Sequence, residues 1–186
     1  MSIACENIHA TVGEFQRAYI YKMFIETVPL AVQANFANAI DFQANVDCYN
    51  EKAVFPDRLT NEIKLSWCGE FFEIPGVDNS TRNNEFTFYD DEPMWVYDFF
   101  SACKDLTGNE YNQAGVWGAQ AKFNIGIAKV SVDKETIRAY RRLIGCRVYS
   151  IKTDSLDKTS SEVSKLQIGI RWDRNYEDKT KRGETI

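Results

Sequence analysis

Between Ile137 and Asp173 the chain gathers residue types suited to holding an anion or cycling a thiol. Arg138, Arg141, Arg142 and Arg147 fall close together, with Gly145 and Cys146 among them. Guanidinium groups grip carboxylates and phosphates through paired N–H donors, and cations beside a thiol favour its reactive thiolate form. On an unbroken strand Arg138 and Arg142 share one face, while Arg141 and Arg147 share the other. Such a stripe has three uses: a solvated face, an anion site, or pairing with the acidic surface of a neighbouring subunit.

Other residues with chemical potential fit a scaffold better than a reaction centre. The single histidine, His9, lies near the terminus, so any Ser–His or Cys–His arrangement would have to recruit it. Asp90, Asp91 and Glu92 could gather a metal ion, but acidic groups also favour a helix N-terminus, which accounts for them without a ligand. Cys5, Cys48, Cys68, Cys103 and Cys146 contain no CxxC spacing and are odd in number. That pattern argues against a zinc site or a dithiol motif and for buried free thiols in a reduced compartment. Phosphate loops, dinucleotide fingerprints and EF-hand patterns are missing from the sequence. The expectation is no enzyme, and no catalytic, cofactor-binding or metal-binding residue.

The elements that must position these residues are mostly strands. In "RAYIYKMFIETV", Tyr19, Tyr21, Met23 and Ile25 share one face, with Ile20, Lys22, Phe24 and Glu26 on the other. "NEIKLSW" alternates Ile63, Leu65 and Trp67 with Glu62, Lys64 and Ser66. "NEFTFY" sets Phe86 and Phe88 on one side, "AKFNIGIAKV" does so with Phe123, Ile125 and Ile127, and "VSKLQIGIRW" with Leu166, Ile168, Ile170 and Trp172. Alternation of this kind predicts antiparallel sheets with one face on a core and one on water or a partner. A helix is predicted over about 92–106, where Val96, Phe99, Phe100, Cys103 and Leu106 fall at helical spacing. Asp90 or Asp91 would cap it, Pro93 suits its first turn and Gly108 its end, while Trp95 and Tyr97 lie off the stripe. "EIPGVDN" (73–79) reads as a turn, and 28–62 as long loops around a strand near 40–49.

Composition bounds the rest. At 186 residues, 44% hydrophobic and 13% aromatic, the chain has material for one folded domain over 1–186. Its polar segments 1–14 and 174–186 are expected to be mobile or ordered on assembly. No apolar run nears the ~18 residues that span a bilayer. "MSIACENIHATVGEF" lacks the basic start and apolar middle of a secretory signal, which makes the cytoplasm the simplest site of synthesis and assembly. A net charge of −5 opposes tight nucleic-acid binding and suits a surface that nucleic acid passes without sticking.

Taken in order, the segments resemble the tail tube proteins of contractile-tailed bacteriophages, over roughly residues 15–177. "FQRAYIYKMFIETV" resembles the family's lead into its first long strand, and "CYNEKAVFP" its cysteine followed by an apolar–Pro pair. "KLSWCGEFFEIPGV" resembles a strand, glycine turn and strand ending in Ile-Pro-Gly, followed by a strand into "YDDE" and an aromatic helix. "YRRLIGCRVYSIKTDSLDKTSSEVSKLQIGIRWD" resembles the closing hairpin with its Gly-Cys corner. Two departures stand out: Arg147 and Val148 occupy the place of the family's Trp-Pro, and 28–41 is longer than the pattern.

The resemblance implies a mainly β fold with one flanking α-helix, an antiparallel β-barrel or sandwich of the tail tube type. It implies homohexameric rings stacked into a virion tail tube, with sheath, baseplate and tail-terminator proteins as partners, built in the host cytoplasm without a membrane. Double-stranded DNA would pass without specific binding, through a lumen of neutral or negative charge, and Arg138, Arg141, Arg142 and Arg147 would face subunit contacts. The departures leave open a tube-initiating baseplate protein, a tail-terminator ring, or the tube of a bacterial contractile injection system. A small acidic ligand-binding β-barrel is the alternative of a different class.

Overall fold

A computed structural model describes residues 21–35, 39–56, 60–67, 70–78, 82–90, 94–108, 115, 120–133, 135–153 and 163–185. Alternating apolar residues form strands, and the strands order themselves by where their apolar faces can meet. The elements run β1 (Tyr21–Thr27), α1 (Leu30–Asn35), α2 (Ala39–Tyr49), β2 (Asn50–Lys52), β3 (Thr60–Trp67) and β4 (Glu70–Asp78). They continue β5 (Asn83–Tyr89), α3 (Trp95–Asp105), β6 (Phe123–Val130), β7 (Ile137–Thr153), β8 (Lys165–Arg171) and β9 (Arg174–Glu177). A short 3-10 turn at Lys179–Lys181 follows, capped by the Asp178 carboxylate, which accepts from the Thr180 backbone N–H.

Seven strands make one curled antiparallel sheet, in the order β1-β6-β7-β8-β5-β2, with β9 also paired to β7. One face encloses the core. Met23 and Ile25 enter it from β1, Phe123, Ile125 and Ile127 from β6, Phe86 and Phe88 from β5, and Leu166, Ile168, Ile170 and Trp172 from β8 and its end. The helices close the open side with Phe42 and Val46 of α2 and Val96, Phe99, Phe100 and Cys103 of α3, all buried. Phe42 packs on Phe99 at 4.7 Å between ring centroids, Phe88 on Phe100 at 5.0 Å, and Phe99 on Phe100 at 5.3 Å in a T-shaped pair. Burying a Phe side chain contributes ~1.5–3 kcal/mol over leaving it exposed, so this ring cluster is what fastens the helices to the sheet.

β7 is 17 residues long and belongs to both halves of the curl. Its first part pairs with β6 and β9, and its second with β8. The bend between them falls at Gly145, whose φ of +69° is the left-handed conformation that glycine adopts without a Cβ clash. A side chain there would also collide with the carboxylate of Asp173, at the matching break between β8 and β9. The Asp173 N–H donates to the Ile144 carbonyl at 3.0 Å, and the Lys122 ammonium holds the Asp173 carboxylate at 2.5 Å. Cys146, fully buried, fills the inside of the bend, as its small apolar side chain suggests.

The bend shifts the side-chain alternation. Leu143, Cys146 and Val148 are all buried, an odd residue followed by two even ones. Arg147 therefore faces outward like Arg142, and does not share a side with Arg141 as an unbroken strand would require.

Three other expectations change. Residues 39–49 form helix α2 and not a strand. Phe42, Ala44, Val46 and Cys48 alternate, but Phe42, Val46 and Tyr49 also share a helix face. The fold buries that face and leaves Ala44 and Cys48 exposed, so Cys48 is not a core thiol. Two short helices, α1 and α2, thus join the expected α3. The Pro-Gly of "EIPGVDN" lies inside β4, where Pro75 sits opposite Glu62 beside a register shift; a two-stranded sheet has only edge strands, which tolerate proline's missing N–H. Helix α3 starts at Trp95, after Met94 in the left-handed conformation, and Met94 at the N-cap position makes no side-chain capping bond. His9, Cys5, Cys68, Asp91, Glu92, Pro93 and residues 154–162, expected as a solvent loop, lie outside the described residues.

Gly145→Ala should destabilise the chain by about 1–2 kcal/mol from the backbone conformation alone, and further from the Asp173 collision. In urea unfolding, adding Asp173→Gly to that variant should recover part of the collision cost and none of the backbone cost.

Candidate assembly surface

The four sequence-singled arginines do not converge on one site. Arg141 is 5% exposed on the core side of β7. Its Nη1 donates to the Pro56 carbonyl at 2.7 Å, and its guanidinium lies 5.1 Å from the Phe55 ring centroid. The Lys129 ammonium sits 4.4 Å from the same ring. Two cations thus clamp the Phe55–Pro56 pair against the sheet, a contact in which desolvation strengthens the cation–π attraction. Arg141 is an internal latch for the segment leaving β2.

Arg142 lies on the opposite face. Its Nε donates to Glu26 at 2.8 Å, and its Nη1 reaches Tyr176 at 3.2 Å and Asp178 at 3.4 Å. The Tyr140 hydroxyl donates to the same Glu26 oxygen at 2.8 Å, and burial together with that hydrogen bond pushes Tyr140 well above the usual phenol range. The group ties β1, β7, β9 and the C-terminal turn together over a small apolar patch of Ala128, Val130, Ile137 and Tyr140. Arg138 and Arg147 are exposed.

A third polar group closes the curl. β1 and β2 end the sheet path, and the Tyr21 hydroxyl of β1 lies 2.8 Å from Asn50 Oδ1 and 2.9 Å from the Glu51 carbonyl of β2. Glu51 in turn accepts from Lys165 Nζ of β8 at 2.6 Å and from the Tyr89 hydroxyl of β5 at 2.8 Å. The Met23 N–H donates to Asp47 of α2 at 2.7 Å across the same seam. Sequence reasoning passed over these residues, since Tyr21, Asn50, Glu51 and Asp47 gain meaning only when the ends of the sheet meet.

β3 and β4 form a sheet of their own. Ile63 stands opposite Ile74, and Leu65 opposite Phe72, so one face of this hairpin is apolar. That face is open: Ile63 is 49% exposed, Leu65 47% and Ile74 46%. On the reverse face Lys64 pairs with Glu73 at 3.2 Å in full view of solvent. The alternation in "NEIKLSW" is thus borne out as a strand but does not mark a face on the chain's own core. A two-stranded ribbon is marginal alone in water, and an open apolar face of this kind is the signature of an interaction surface.

Residues with reactive potential are structural here. Burial pushes the Cys103 and Cys146 thiols far above their ordinary range, which keeps them as thiols and removes the redox reading of the Gly-Cys pair. Asp133 is held down at about 2 by the Ser131 hydroxyl and then by the N–H groups of Glu135 and Thr136, the bonds of a tight turn. Among the described residues no group of three or more His, Cys, Asp or Glu could hold a metal ion.

This curled antiparallel sheet packed on helices is a fold shared with tube and tube-terminating proteins of contractile injection systems. Three solved structures share it. The tube-terminating cap of the anti-feeding prophage superposes with a TM-score of 0.58 at 18% identity, over 96% of this chain and 99% of that one. A chain of the sheath–tube complex of the extracellular contractile injection system PVC, in its extended state, gives 0.54 at 15% identity, over 95% and 99%. The sheath/tube terminator of that system gives 0.53 at 14% identity, over 90% and 99%. No family model matches the sequence, and no curated protein does.

The seam makes a pH prediction. Lys165 first, then Tyr89, hold the Glu51 carboxyl below its ordinary range. Its folded value lies below the unfolded one of about 4.3, so it adds stability above that pH and loses it as pH falls through the folded value. In urea unfolding between pH 7 and 3, Glu51→Gln should be less stable than the parent at pH 7. The difference should shrink as pH drops below about 4.

Proposed function

We propose that the chain is a structural subunit that joins copies of itself into rings stacked as the inner tube of a contractile tail or injection system. The hairpin carries this reading: an open apolar face on a ribbon of two strands, in a chain with the tube-subunit fold. Such a face is covered by association, and association head-to-tail gives closed rings or a continuing tube. Six copies per ring, contacts with sheath and baseplate, and a bore that passes double-stranded DNA complete the proposal. A net charge of −5 supports passage without retention, because phosphates are not drawn to an acidic wall. Of the four arginines, exposed Arg138 and Arg147 have the reach to meet a neighbour, while Arg141 and Arg142 serve through the segments they hold.

A second reading keeps the fold and moves its place to the tube end, as terminator or cap. It is favoured by two structural neighbours, a tube-terminating cap and a sheath/tube terminator.

Electron microscopy of the purified protein separates these readings. Tubes of constant diameter support the main-tube role, single rings that do not stack support the end role, and a monomer at high concentration refutes both. Ile63→Lys with Leu65→Lys should leave the monomer folded by circular dichroism and abolish rings or tubes. Assembly that survives this change would refute the role given to the hairpin face.

A further inference from the structure

The outer face of the β7–β8–β5 sheet holds a charge arrangement that the described residues do not balance. Arg147 stands directly opposite Arg171 across the β7–β8 ladder, and Arg171 opposite Asn83 of β5. Arg82 precedes that row and Arg174 follows it at the start of β9. All four arginines are exposed, and none forms an ion pair among the described residues. The acid within this stretch, Asp173, is taken by Lys122, while further along the face Lys152 pairs with Glu85 and Lys165 with Glu51. Like charges directly opposite in a ladder are destabilising, yet here they sit at one corner of a chain whose net charge is −5. Tyr149, 42% exposed, lies beside them with the Arg171 guanidinium 5.8 Å from its ring centroid.

The hairpin carries the complement. Residues 60–78 include Glu62, Glu70, Glu73 and Asp78 against a single Lys64. Lys64 is engaged by Glu73. Glu70, exposed, pairs with Trp67 in register, which places it on the same face as Ile63, Leu65 and Ile74, at the last pair of the ladder. An apolar strip ending in a carboxylate matches an aromatic ring beside two guanidiniums that form no ion pair among the described residues.

We propose that this arginine corner is the docking surface for a second copy, seating the tip of its β3–β4 hairpin with Glu70 between Arg147 and Arg171 and the apolar strip over Tyr149. The inference rests on the assembly reading and names a contact within it. Tyr and Arg are the side chains that concentrate binding energy at protein interfaces, and a charge placed between two like charges relieves their repulsion as it binds. A nucleic-acid track fits less well, because a backbone-following surface needs cations along a groove. The cations further along this face already have acidic partners.

The test is a charge exchange in the full chain, read as the critical concentration for rings or tubes by sedimentation. Arg171→Glu and Glu70→Arg should each raise it about tenfold or more, and the two together should bring it back to within about threefold of the parent. The melting temperature of unassembled Arg171→Glu should not fall, because the substitution turns a like-charged pair into an opposite-charged one. If Arg171→Glu assembles like the parent, or the double variant is no better than the worse single one, the proposed contact is overturned while assembly itself stands. If R147E/R171E assembles normally but no longer retains duplex DNA, the corner is a nucleic-acid surface and the proposal fails. If the parent chain never assembles, the underlying reading fails with it.

Discussion

Everything in this fold depends on one strand being able to serve two halves of a sheet. β7 pairs with β6 and β9 at one end and with β8 at the other, so the sheet curls around the core only if β7 can turn partway along. A regular strand of this length would hold both halves in one gently twisted surface. Gly145 supplies the turn through a backbone conformation that other residues enter at a cost. Asp173 opposite it makes the paired ribbon turn at the same level, and Lys122 fixes Asp173 from β6's side. The alternation shift that accompanies the turn decides which arginines are internal and which meet solvent.

Curling creates a second demand, because a sheet that nearly closes must join its ends. The joints here are polar. Tyr21 reaches across to β2, Glu51 gathers Lys165 and Tyr89, and Glu26 gathers Tyr140 and Arg142. Apolar packing fixes which face of each strand turns inward, and hydrogen bonds of fixed geometry add to the selection of one alignment where the ends meet. Charged groups in these joints are partly solvated, so each contributes modestly. Their value lies in number and in which strands they connect. Arg141 repeats the logic in a drier place, binding the chain as it leaves β2.

The core strands were legible because each had a single interpretation. Phe86 and Phe88, then Phe123, Ile125 and Ile127, and then Leu166, Ile168, Ile170 and Trp172 alternate with polar or small residues, and the structure buries all of them. The stripe of α3 was equally clear. Residues 39–49 were not, since Phe42 and Val46 satisfy both periods and only the hydrophobic space above the sheet selects the helix. The Pro-Gly of β4 misled because proline breaks central strands yet is accepted at an edge, and edge status is a property of the whole topology. The arginines illustrate the same limit: their types suggested binding, but their partners, Pro56 for Arg141 and Glu26 for Arg142, lie 85 and 116 residues away. The candidate docking corner depends on the register between β7 and β8, which no local pattern specifies.

The hairpin occupies a particular place in the topology. β2 and β5 are hydrogen-bonded neighbours, with Lys52 opposite Thr87, although the β3–β4 excursion separates them in sequence. The curled sheet therefore keeps its β2–β5 hydrogen bonding whether that excursion is long or short, and Arg141 anchors its root independently of its tip. Length and surface chemistry in the excursion can drift without disturbing the walls. A lineage of such subunits could diversify by editing this one appendage, retaining a common shell while changing its neighbours.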